Sequence, residues 1–551
     1  MSSCSESVSN ASIEELLQKG ATEMDKRSGS SYVFDEPKTE EINYLALQNI
    51  GVFLHAFLLS IVSITGGSFS YAFFLMYLDI DGNLYNIINA IVILPLSLKV
   101  FLAAINDCIP IFGLRRKPYM IIGWIGTMLL SGGLYLAPFP KSRYVNYDMN
   151  STVDCSDLYN QKLSSNITLR GTDEEYTTYA MVYLAAYTLI CGTVAISDAA
   201  MDGLMVQYAR LEKESQRGKM QTFMYASKQS GEILRTLVAA VGLNWYEYGG
   251  PWCKGISIPG MYLMTFIVSI IAIPVVIFLT KEQPVKNPPL FRNWLRKLWY
   301  CITTKAVQRV VIFTFIHSAA LDFSSPADSM IMKYWAKIDN LTFNIANIVS
   351  GFLQPLGTVI FGMYLRNYDW RITVAWTQIT TSMFNAVLLF VTIFNILRNQ
   401  YFYASDATAT AIFNAINSIC TLLIAVEMAE SEIEGVFYGL VTSANNLART
   451  VGKISGNIVA IPFKVGTDKR YVQDNTSDRI VVASSEFLTL IVENVLIFIV
   501  LPFLPSGVRA ARDWKMTFGI SKSGGITIVV LFIFLLLFSI SYSFISPYIG
   551  L

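Results

Sequence analysis

From Asn43 to the C-terminus, apolar segments as long as a bilayer is thick follow one another with little between them. A membrane-spanning helix needs about 20 mostly apolar residues. Inside lipid every backbone N–H and C=O must be satisfied within the protein, which leaves helices for segments of this length. The pattern predicts spans at 49–78, 83–105, 118–138, 177–203, 220–243, 259–280, 308–331, 343–364, 372–396, 408–430, 436–462, 483–504 and 525–547. The expected fold class is an all-α polytopic membrane protein of twelve helices plus one more at the C-terminus. Composition agrees, because only 15% of the residues are charged, against roughly 25% in a soluble domain. A net charge of +1 argues against bulk nucleic-acid binding. Two histidines and seven scattered cysteines give no zinc or redox spacing. With no phosphate-binding loop and no assignable catalytic triad, the expectation is a protein without cofactors that is not an enzyme, and any active transport would be secondary.

The stretch Pro95–Tyr119 carries the most chemistry. Lys99 lies inside an apolar run, Asp107 stands where it ends, and Arg115, Arg116 and Lys117 arrive together before the next span. A lysine within a span is expensive, so it is paired or faces a wet cavity. Short cytoplasmic loops collect Lys and Arg, and the loops after spans 2, 6 and 8 and the segment after span 12 are basic. That side is therefore expected to be cytoplasmic, with residues 1–42 a disordered cytoplasmic tail and no cleavable signal peptide. The sequons at Asn150, Asn166, Asn340 and Asn475 all fall on the other side and are glycosylation candidates. Cys155 and Cys253 fall there too, where a disulfide between them is open. The long basic segment 281–307 separates a six-helix bundle at 43–280 from a second at 308–505, and residues 506–551 hold a basic linker and the extra helix. Six plus six around a basic central loop is the layout of a major facilitator transporter, whose halves are parallel repeats.

Charges recur inside the spans at helical spacing. Asp198 and Asp202 share a face of span 4; Lys228, Glu232 and Arg235 share a face of span 5; Arg449 and Lys453 share a face of span 11. Each costs about 2.5–3.5 kcal/mol at a helix centre on the lenient insertion scale, so these groups meet in the interior or lie near helix ends. One reading is a polar cavity in which Lys99, Lys228, Glu232, Arg235, His317, Arg449 and Lys453 bind an anion or couple it to protons. The other is structural ion pairing at a cytoplasmic gate, favoured for Asp107, Arg115, Arg116, Asp198, Asp202, Arg210 and Glu434. A lone histidine is more often a packing residue, and His55 is read so. Gly231, Gly452 and Gly456 allow close helix approach.

These blocks add up to a resemblance. Pro95, Lys99, Asp107, Pro110, Gly113, Arg115, Arg116, Pro118 and Tyr119 match the signature of the folate–biopterin transporter family, a branch of the major facilitator superfamily. The run SDAAMDGLMVQYAR, with Asp198, Asp202 and Arg210, is similar to that family's fourth helix. Gly218, Gln221 and Gly231 resemble its fifth, and EIEGVFYGLVTSANNLA, with Glu434, Gly435 and Asn446, its tenth-to-eleventh junction. The usual Trp is Leu96, the Pro after the lysine is Val100, the Gly is Ala103, the Ser is Asn106, and a frequent acid is Gln207. The resemblance implies proton-coupled import of folate- or pterin-like anions, by a monomer in the plasma membrane with its N-terminus in the cytoplasm. Leu96 and Val100 flank Lys99, so they bear on the solute more than on the fold. The alternatives are the same fold carrying an amino acid, a nucleoside or another organic anion, and a non-transporting receptor or scaffold.

Overall fold

A computed structural model describes residues 47–63, 67–143, 169–211, 219–248, 250–285, 288, 290–365, 368–428, 434–517 and 519–549. A helical segment stands at each of the thirteen expected spans. They are α1 (Leu47–Val62, resuming at Gly67–Ser70 and Tyr71–Tyr77), α2 (Gly82–Cys108), α3 (Lys117–Leu136), α4 (Asp173–Leu211), α5 (Lys219–Gly242), α6 (Ile258–Leu279) and α7 (Lys305–Trp335). Then follow α8 (Asn340–Leu365), α9 (Trp370–Ile393), α10 (Gln400–Met428), α11 (Glu434–Ala460), α12 (Thr476–Phe503) and α13 (Lys522–Ile549). Nine of them, among the described residues, are long and apolar enough to cross a membrane. The first piece of α1 is short, and α5 and α11 carry interior charge.

Local chemistry sets where these helices start and bend. Asp81 caps α2 by accepting from Leu84 N at 2.7 Å, and Asp339 caps α8 by accepting from Thr342 N at 2.7 Å. Pro95 has no N–H to give, and α2 tightens to a 3₁₀ turn over Leu94–Leu98 before resuming at Lys99. Span 7 is broken where the hydropathy pattern reads it as continuous. In α7 the regular helix stops at Leu321 and restarts at Pro326, with Ser325 accepting from Ala327 N as the new cap. Both α1 and α7 finish in wide π-type turns, Tyr71–Tyr77 and Ile331–Trp335.

The packing repeats. In the first six helices α1 lies on α5, α3 on α4 and α3 on α6; in the next six α7 lies on α11, α9 on α10 and α9 on α12. The two groups meet along α2 with α11 and along α5 with α8. Small residues set the closest approaches. A Cβ added at Gly231 of α5 would come 2.3 Å from Phe57 O of α1, and one at Gly452 of α11 would come 2.2 Å from Ala319 O of α7. The interior is aromatic near the ends of α1, α4 and α6, where Phe73, Tyr183 and Tyr187 are buried together. Helix α13 packs on α11, α2 and α7 and on the amphipathic helix Phe291–Thr303 that precedes α7.

Candidate functional site

The basic turn after α2 is fastened to the end of α6. The Glu282 carboxylate accepts from the N–H groups of Arg115, Arg116 and Lys117 at 2.9, 2.8 and 2.8 Å, at the start of α3. An anion belongs there, because the first N–H groups of a helix have no internal partner. Lys117 Nζ in turn donates to Ile277 O at 2.6 Å and Thr280 O at 3.1 Å, at the open C-terminal end of α6. Arg116 pairs with Asp107, and Trp294 of the amphipathic helix donates Nε1–H to the same carboxylate at 3.3 Å. Gly203 of α4 leaves room for the guanidinium, since a Cβ there would sit 2.4 Å from Arg116 Cζ. Asp107, Arg115 and Arg116 thus form one network at this end of the bundle, with Glu282 and Trp294 added to it. The side chains of Arg210 and Glu434 lie outside those described.

Lys99, Lys228, Asp198 and Asp202 make a closed tetrad. Lys99 pairs with Asp198 and with Asp202 (2.9 Å), and Lys228 pairs with Asp198 (2.9 Å) and Asp202 (3.3 Å). The sequence reading separates the two lysines, as cavity residues, from the two acids, as gate residues. The structure brings all four together, and both ammonium groups are taken up by carboxylates. Opposite charges removed from water have no better partner than each other. Beside the tetrad the two groups of helices touch, with Val100 N donating to Ser443 Oγ at 3.0 Å and the Tyr225 and Tyr438 hydroxyls 2.7 Å apart.

The second charged group lies at the break in α7. Asp322 takes Arg449 at 3.0 Å and Lys453 at 3.3 Å, so two cations share one acid. Its counterpart stands at the end of the first piece of α1, where Arg235 donates to Ser63 O and pairs with Glu232 at 3.1 Å. Helices α5 and α11 hold equivalent places in the packing repeat, and each sends cations to the neighbour it packs against. In transporters an interrupted helix such as α7 points to the binding site. Between α5 and α8 lies a cavity of about 200 Å³ lined by Gln229, Glu232, Arg235, Phe343, Asn347 and Gln354, among others.

Two candidates are placed as packing or structural groups. His317 is buried, its Nε2 3.0 Å from Asn417 Oδ1 and its ring stacked on Phe313 at 5.1 Å. Asn340 is corrected as a glycosylation site: it is fully buried as the first residue of α8, and the Nδ2 a glycan would occupy donates to Ala239 O at 2.9 Å. Asn475 is exposed ahead of α12 and makes no capping bond. Asn150, Asn166 and Cys155 lie outside the described residues, while Cys253 is disulfide-bonded.

Sequence reasoning missed the closure at the opposite end. Lys333 is 2% exposed and pairs with Asp79, donating also to Leu75 O at 3.1 Å. Tyr71 OH donates to Ile338 O at 2.7 Å and Gly82 N to Gly466 O at 2.9 Å. Asp79 and Lys333 fall just beyond predicted spans 1 and 7, where a charge looks unremarkable. The π-type turns of α1 and α7 carry both inside. The two groups of helices therefore touch at both ends, with polar cavities between.

Two bundles of this form around a polar seam define the fold of major facilitator transporters. The structure resembles that of the nucleoside transporter NupG (12% identity, 83% of this chain and 99% of that one, TM-score 0.53) and that of a peptide transporter, POT (10%, 83% and 94%, TM-score 0.53). The BT1 family profile matches residues 67–147 and 168–506, and the chain belongs to that family, the folate–biopterin transporters. A folate-biopterin transporter from Synechocystis sp. is 21% identical over 435 residues, covering 76% of this chain and 74% of its own. The protein is an integral multi-pass membrane transporter and not an enzyme.

Proposed function

We propose that this transporter imports folate- or pterin-like organic anions together with protons, by rocking the bundle of α1–α6 against that of α7–α12, with α13 outside the pathway. The observation that carries the reading is the cavity between α5 and α8. Arg235 offers a guanidinium for a carboxylate, the amides of Gln229, Asn347 and Gln354 match the donor and acceptor edge of a heterocycle, and Phe343 gives a face for stacking. The family and the Synechocystis relative support the solute class. In this reading the basic end faces the cytoplasm, together with the N-terminus, and a single chain works as a monomer in the plasma membrane. The tetrad and the Asp107–Arg116 network then brace the inner gate, while Asp79–Lys333 braces the outer one. Arg449 and Lys453 contribute positive charge to the pathway from the second bundle.

The test is uptake of labelled folate and biopterin into cells lacking their own carrier, at acid and neutral pH, for the native protein and Arg235→Ala. The expected result is uptake above background that is greater at acid pH and falls at least tenfold in the variant at equal surface expression. Absence of uptake of either solute by surface-expressed native protein would reject the solute class.

A further inference from the structure

Among the described residues, four carboxylates of the second bundle form no ion pair: Asp328 of α7, Asp406 of α10, and Glu486 and Glu493 of α12. Every interior acid of the first bundle's tetrad has two. Asp328 and Asp406 line one cavity, and the four lie within electrostatic reach in a string: Glu486 of Asp328, Asp406 of Asp328, and Glu493 of Asp406. Glu486 is 5% exposed and its Oε1 has no hydrogen-bond partner, nor has the buried Oδ1 of Asp406. Asp328 accepts from Tyr403 OH. The string continues from Glu493 to Gln378 Nε2 at 2.8 Å, and through Asn417 (3.4 Å) to His317 (3.0 Å).

The string also meets the solute cavity. Asp328 and Asp406 line a second cavity of about 170 Å³, and Phe343 and Asn347 belong to the walls of both. The other titratable groups that face it are Tyr85, Tyr403, Tyr471 and Lys453. Lys453 is already held by Asp322 at 3.3 Å, and the tyrosines are neutral acids. Ionised carboxylates gathered away from water repel one another and lose their hydration, so such a site keeps its charge down by holding protons. Intramembrane acids without a partner mark proton pathways.

We propose that Asp328, Asp406 and Glu486 form the proton-carrying site of this transporter, with Glu493 extending it toward His317. The proposal rests on the proton-coupled reading above and assigns its coupling to the second bundle. A proton from one aqueous phase forms an O–H bond on a carboxylate of the string. After the bundles rock, that same bond breaks and the proton leaves to the other phase, with no other covalent change. The shared wall at Phe343 and Asn347 places this charge change beside the bound solute.

The test uses purified full-length protein in liposomes with labelled biopterin and folate. Accumulation driven by an imposed proton gradient is compared with solute counterflow at equal pH, which needs no net proton movement. Glu486→Gln and Asp406→Asn are expected to lose gradient-driven accumulation at least tenfold while counterflow stays within about twofold, with Glu486→Asp recovering part of the loss. Retention of gradient-driven accumulation by both neutral variants overturns the proposal. A native protein with counterflow but no response to the gradient rejects proton coupling itself, and the proposal with it. A second readout needs neither a variant nor a solute: a hydrophobic carbodiimide, which attacks protonated buried carboxyls, applied to the native protein and mapped by mass spectrometry. Labelling of Glu486, Asp406 or Asp328 that fades as pH rises is expected, and labelling of none of them overturns the assignment.

Discussion

At the scale of single residues, pairing decides what each charge does. Lys99 sits between Asp198 and Asp202 with Lys228 on their other side. Lys99→Ala leaves two buried carboxylates to one ammonium, and breaking a buried pair costs about 3–5 kcal/mol. The expected outcome is a large drop in thermal stability in detergent, partly recovered in Lys99→Ala/Asp202→Asn, which restores one acid to one base. A simple sum of the two single losses would show that the tetrad is not a unit. The presence of Lys99 inside an apolar run was legible, and so was its need for a partner. Which acid it meets was not, because the partner lies 103 positions away and pairing across that distance is a property of packing. Asn340 teaches the converse. Its sequon is local and readable, but burial at the start of α8 removes the acceptor atom. In a glycosylating host, Asn340→Gln is expected to leave electrophoretic mobility unchanged, while Asn475→Gln removes one glycan's worth of mass.

At the scale of elements, the spans were legible because length and apolarity are enforced by lipid at every turn. The break in α7 was not. Proline at 326 has a local signature, but a pause of a few polar residues inside an apolar run does not alter a hydropathy average. That pause is where Asp322 receives cations from α11. The glycines of α5 and α11 were legible as sites of close approach, and the structure supplies the surfaces they meet. Gly452→Leu would drive a side chain into Ala319 O, a backbone atom that cannot turn aside. Loss of monodisperse protein on size exclusion is expected. Gly133→Ala in α3, with nothing within 4 Å of the added carbon, is expected to behave as native. The acids of α12 show a further limit. Glu486 and Glu493 stand seven apart on one face, a spacing visible in the sequence, but only the fold shows that no cation among the described residues pairs with them.

At the scale of the molecule, the chain is two similarly packed groups of six helices that touch at both ends and leave polar space between. Closure at the basic end was legible in outline from the clustered charges of Pro95–Tyr119. Closure at the other end, through Asp79 and Lys333, was hidden because the pair is 254 positions apart and each member lies at a span boundary. The proposed division of labour is simple. Paired charges hold the ends, cations of α5 and α11 and amides in the α5–α8 cavity meet the solute, and acids of the second bundle carry protons. The claim on which this rests is that the cavity holds the solute, and substituted-cysteine protection tests it most directly. The background is Cys108→Ser, since the other free cysteines described are buried and Cys253 is disulfide-bonded. In that background Asn347→Cys is treated with a small water-soluble thiol reagent, with and without folate or biopterin. The account predicts a thiol that reacts and is protected by one of these solutes in a saturable way. A thiol that reacts at the same rate whichever solute is present would contradict it.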